Sequence, residues 1–151
     1  MPTPFESASL NLQLFDLRRE PVLREARAWF LNEFMPDNFA DFVALLSGER
    51  NAYFRMVVGY WDMAASLVTS GAIDGDAFLA AHTEVTATFS RIRPFLAELR
   101  AVMKMPQYCQ HLEAVVMSAP DAEATMARYE EGVRAAAAVR RAAAGAAPAA
   151  T

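Results

Sequence analysis

The segment Asn51–Ser70, NAYFRMVVGYWDMAASLVTS, constrains this chain more than any other. At 100° per residue, Tyr53, Phe54, Met56, Val57, Val58, Tyr60, Trp61, Met63, Leu67 and Val68 cover roughly 220° of a helix. Asn51, Arg55, Gly59, Asp62, Ser66 and Thr69 collect in the remaining arc as one polar seam. A helix apolar over so much of its circumference needs neighbours on most sides, so it is the central helix of a bundle. A chain of 151 residues is the size of one domain with one core.

The flanking segments supply the neighbours. Leu10, Leu12 and Leu14 alternate as in a strand, yet Leu10, Leu14 and Leu17 share a helix face and no second strand is available for pairing. A helix over about Ser7–Arg19 follows. Pro21 suits the first turn of a second helix ending near Phe34, with Leu23, Ala26, Phe30 and Phe34 inward. Met35-Pro36-Asp37-Asn38 is a turn that caps a short helix ending at Ser47-Gly48. After Gly71, Asp74 or Asp76 caps a long helix over Asp76–Lys104. Its stripe Phe78, His82, Val85, Phe89, Ile92, Leu96, Leu99, Met103 keeps phase through Pro94, which predicts one helix with a kink. Pro106 to about Ser118 and a last helix from Asp121 through Met126, Tyr129 and Val133 complete the pattern.

The expected architecture is therefore all-α: a single antiparallel bundle of six to seven helices over 1–141, with an Ala-rich flexible tail over 142–151 that has nothing large to bury.

Charge excludes some functions. The net charge is −4, thirteen of the fourteen basic residues are Arg, and no basic block stands out, so the footprint of a nucleic-acid binder is missing. The longest apolar run, Met56–Val68, spans about thirteen residues where a membrane helix needs about twenty. The start, MPTPFESASL, has no secretory pattern, and Cys109 is the single cysteine. A cytoplasmic location without membrane or nucleic-acid partners is expected.

Few residues carry recognisable chemistry. Arg55 and Asp62 lie two turns apart on the seam, with Gly59 between them opening the backbone to another helix or a small ligand. The cheaper reading is a charged pair of Asp62 with an Arg, first Arg100 of a neighbouring helix and second Arg55 of its own, because a buried carboxylate needs a partner. Arg93, Arg100 and Lys104 form a row that suits either an anion or acidic neighbours. His82, in the apolar stripe, lacks a ligand partner at helical spacing and reads as a hydrogen-bonded core residue. Cys109 and His111 diverge at i and i+2, so they make no nucleophilic pair. No phosphate loop, dinucleotide fingerprint or metal-ligand motif is present. No cofactor, metal or catalytic residue is expected.

Tyr60-Trp61-Asp62-Met63-Ala64-Ala65-Ser66-Leu67-Val68, followed by Gly71-Ala72-Ile73-Asp74 and then by Pro94-Phe95 and Leu99-Arg100, resembles a bacterial all-helical domain family of unknown function. Arg24-Glu25-Ala26-Arg27 is a weaker match. The likeness covers about 60% of the chain, from Leu10 to Arg100. Asp62 stands where the family pattern has Glu, which shortens its reach. The resemblance implies a fold and supplies no catalytic residue.

Two functions follow as expectations. The first is a non-enzymatic interaction module that self-associates as a homo-oligomer, with Trp29, Tyr60 and Trp61 as interface anchors where they are exposed. The second is a small anionic-ligand or catalytic pocket lined by Arg55, Asp62, Arg93 and Arg100.

Overall fold

A computed structural model describes residues 1–145. Among the described residues there are eight helices and no strand: α1 Pro4–Leu17, α2 Pro21–Asn32, α3 Phe39–Leu46, α4 Asn51–Thr69, α5 Gly75–Ala81, α6 Glu84–Met103, α7 Gln110–Met117 and α8 Ala122–Gly145. Residues 142–145, the first part of the predicted tail, form the last turn of α8; the rest of that tail lies outside the described residues.

Local signals account for most helix starts. Thr3 and Glu6 form a reciprocal capping box ahead of α1, with Pro4 in its first turn. Asn38 caps α3 and Asp74 caps α5, each accepting from the backbone N–H three residues on. Gly71 takes φ +79 after α4, a left-handed conformation that a side chain would resist.

The count of eight exceeds the predicted six to seven because Asp76–Lys104 is two helices. His82 has φ −125 and ψ 66, outside the helical region, and Thr83 then leads into α6. One long-range contact holds the break and a second fixes the start of α5. The His82 imidazole is buried with Nε2 3.0 Å from Asn11 Oδ1, and the Asp74 backbone N–H donates to Ser7 Oγ at 3.1 Å. Phe78, His82, Val85, Phe89, Ile92, Leu96 and Leu99 are nonetheless all buried, so their spacing marks a shared inward face rather than a continuous backbone. Pro94 lies within α6 on its exposed side, and the helix continues through it.

α4 sits at the centre, packed chiefly on α2 and α7 and also touching α3, α5 and α6. Its Phe54, Val57, Val58, Tyr60, Trp61, Ala64 and Ala65 are buried by these neighbours. Beside Phe54, the rings of Phe30, Phe34 and Phe42 pack with centroids 4.8 to 6.3 Å apart, and Phe95 of α6 stacks on Phe42 at 5.0 Å. Each such ring contributes roughly 1.5–3 kcal/mol by its burial. Arg27 of α2 ties the start of α6 to this layer: Nε donates to Glu84 Oε2 at 2.8 Å and Nη1 to the Arg18 carbonyl at 3.1 Å. The chain thus covers most of α4 without a second copy and leaves Met56 and Met63 exposed. No described helix is long and apolar enough to cross a membrane.

Candidate functional site

The polar seam of α4 opens onto a cavity of about 160 Å³ lined by Arg55, Val58, Gly59, Asp62, Tyr108 and Cys109. Gly59 faces open space: a Cβ built on it would meet nothing within 4 Å. Asp62 makes no ion pair among the described residues, contrary to the sequence expectation. Its Oδ1 instead accepts the backbone N–H of Leu112 at 2.9 Å. Leu112 is the third residue of α7, a helix whose preceding residue, Cys109, supplies no side-chain cap. The four leading N–H groups of a helix need acceptors, and the positive end of its dipole favours a carboxylate. Asp62 meets that need from another helix.

Around this cavity the chemistry is quiet. Cys109 is buried, and desolvation, reinforced by the Asp62 charge, pushes its thiol up to about 12, so the thiolate that nucleophilic chemistry requires is absent at neutral pH. Burial likewise raises the Tyr108 phenol. The His111 Nδ1 lies 2.7 Å from Thr69 Oγ1 and is thereby committed to α4.

Arg93 and Arg100 are not among the residues lining this cavity. Arg93 forms a two-pronged pair with Glu123 of α8, both contacts at 2.6 Å. Arg100 donates from Nε to the Tyr108 carbonyl at 2.9 Å and from Nη2 to Glu113 of α7 at 2.7 Å. The row therefore staples α6 to its two neighbours. Lys104 ends α6 in the left-handed region, at φ 55. Of the four predicted ligand residues, the structure brings together only Arg55 and Asp62.

Trp29, Tyr60 and Trp61 are corrected from interface anchors to core residues. Their exposures are 5%, 9% and 0%, because α4 turns this face toward α2 and the Tyr60 hydroxyl donates to the Leu14 carbonyl of α1. Burial raises that phenol to about 12. His82 is the hydrogen-bonded core residue that its place in the stripe implies.

Two features escaped the sequence reading. The first is the outer face of α1. Phe5, Ala8, Leu12 and Phe15 fall within about 80° of one another, and all are exposed, Phe5 by 80% and Leu12 by 70%. The inward residues of the same helix are Ser7 and Leu14. The spacing 5, 8, 12, 15 was available in the sequence, but an apolar stripe is ordinarily assigned to the core.

The second is Arg91 of α6, half-buried at the end of α2. Its Nη1 donates to the Phe30 carbonyl at 2.6 Å and the Phe34 carbonyl at 3.0 Å, and its Nη2 to the Leu31 carbonyl at 2.7 Å. The last carbonyls of a helix lack intrahelical partners and carry partial negative charge, which suits a guanidinium. Desolvation lowers the Arg91 pKa to about 10. Arg91 also lines a larger cavity of about 450 Å³ between the end of α2, α6 and α8. Periodicity places Arg91 on α6 but says nothing of which helix end it meets. Among the described residues, no three His, Cys, Asp or Glu side chains are grouped to hold a metal ion.

A family model described as Domain of unknown function (DUF4760) matches residues 4–118. No curated protein and no solved structure matches the chain.

Proposed function

The chain belongs to that family of unknown function, and from this premise we propose that it is a non-enzymatic interaction module that self-associates through the outer face of α1. The observation that carries the reading is the stripe Phe5, Ala8, Leu12, Phe15, which lines up two exposed aromatic rings and a leucine on one helix face. Two large aromatic rings and a leucine in one line exceed the scattered apolar residues of an ordinary surface. The stripe also complements itself. An antiparallel pairing of two α1 helices about a twofold axis places Phe5 opposite Phe15 and Leu12 opposite the small Ala8, alternating bulk as a packed helix pair requires. The eight helices are read as one antiparallel bundle with α6 bent at Pro94, working in the cytoplasm.

Sedimentation velocity of the full chain at micromolar concentration tests the reading. A dimer is expected, and Leu12→Glu combined with Phe5→Ser shifts it to a monomer with an unchanged circular dichroism spectrum. A single species of 16.6 kDa for the unaltered chain overturns it.

A further inference from the structure

We propose that the cavity between α2, α6 and α8 binds a small amphipathic monocarboxylate, its head group on Arg91 and Arg141 and its apolar body on Met35, Pro94, Val133 and Ala137. The volume of about 450 Å³ falls within the range of small-molecule sites. The head-group end rests on the unspent valence of Arg91. A guanidinium carries five N–H donors, and Arg91 gives three of them to the carbonyls of Phe30, Leu31 and Phe34. Its Nε–H and one Nη2–H remain, and no carboxylate among the described residues pairs with it. Two free donors are what the two oxygens of a carboxylate accept.

The cavity's charge sets the valence of the ligand. Arg91, Arg134 and Arg141 line it together with Asp37 and Glu130, which leaves a single net positive charge among the lining residues. Arg134 is already within 3.6 Å of Glu130. Arg141 has no ion-pair partner among the described residues. A monoanion balances this set, whereas a phosphate dianion would be repelled by the two carboxylates. The accessible remainder of the wall is mostly apolar, Met35, Pro36, Pro94, Val133 and Ala137, backed by the buried rings of Phe34 and Phe95. A wholly polar anion would leave that wall uncovered. Residues of α8 form one side of the cavity and lie beyond the stretch that the family model matches. The site is thus distinct from anything family membership implies, and independent of the α1 face.

Titration of the full chain with octanoate, followed by amide chemical shifts, tests the proposal, with 1-octanol and inorganic phosphate as the comparison probes. Saturable shifts at Arg91, Val133 and Ala137 are expected with octanoate, at least tenfold tighter than with either comparison probe. Arg91→Gln would uncap α2 and risk unfolding, so the head-group test is Arg141→Gln, expected to weaken octanoate at least tenfold. Ala137→Phe, which fills the cavity from the exposed helix α8, should abolish the shifts while leaving the fold intact. Absence of saturable octanoate binding overturns the proposal. So does equal binding of 1-octanol, which would mean the arginines play no part, or equal binding of phosphate, which would mean the apolar wall plays none.

Discussion

Asp62 caps a helix fifty residues away: its Oδ1 lies 2.9 Å from the backbone nitrogen of Leu112, at the start of α7. The contact joins the central helix to the element on which it packs most closely, and it stands in for the side-chain cap that Cys109 cannot give. Replacing a helix-capping acceptor with Ala typically costs about 0.5–2 kcal/mol. Asp62→Ala should therefore lower the unfolding free energy by about 1–2 kcal/mol, whereas Asp62→Asn, which keeps an acceptor oxygen, should cost less than half as much. Urea denaturation of the two variants beside the unaltered chain measures both. Equal losses would show that the charge, rather than the hydrogen bond, carries the contact.

Gly59 stands on the same seam, in the middle of α4, with open space where a Cβ would project. Glycine in a helix interior is less favourable than alanine by roughly 0.5–1 kcal/mol, and here no neighbour must move. Gly59→Ala should stabilise the chain by about that amount in the same denaturation assay. A destabilised variant would mean that the cavity beside Asp62 closes in solution.

Lys104 ends α6 with φ 55, where a side chain crowds the following carbonyl and glycine does not. Lys104→Gly is expected to raise stability by about 0.5–1 kcal/mol. The measurement is again the denaturation midpoint, with an unchanged slope. Lys104, at the end of α6, does not line the cavity that Gly59 and Asp62 share, so its effect should add to that of either one to within about 0.5 kcal/mol.

His82 gives the chain a pH dependence whose sign is determined. Burial, with a smaller contribution from the Arg18 charge, holds its imidazole below the ordinary 6.5, while Glu84 acts weakly in the opposite direction. Its Nδ1 has no hydrogen-bond partner, so a proton there would leave a buried donor unsatisfied. Below pH 6.5 the unfolded chain takes up a proton that the native chain refuses, and stability falls as pH drops toward the native pKa. The slope has a ceiling of about 1.4 kcal/mol per pH unit for one group. Unfolding free energies between pH 7.5 and pH 5 should decline for the unaltered chain, and less steeply for His82→Gln. Parallel curves would assign the decline to other groups.

The residues alone determined what depends on local spacing. Apolar positions on a 3.6-residue period mark which face of a helix turns inward; for α2 and the stripe Phe78–Leu99 that face is the buried one, and for α4 it is buried except at Met56 and Met63. Turn and cap residues mark where helices begin, as Asn38 and Asp74 do. Tertiary structure decided everything that depends on which helix lies opposite. His82, at the break between α5 and α6, is held by Asn11 of α1, distant in sequence and invisible to a period that runs smoothly across it. Asp62 and Arg91 each needed a counterpart once partly buried, a requirement visible in the residue type. Its form was not visible, because backbone N–H and carbonyl groups at helix ends serve a charge as a side chain does, and every residue carries them. Only the packing of α7 on α4, and of α6 on the end of α2, selects among them.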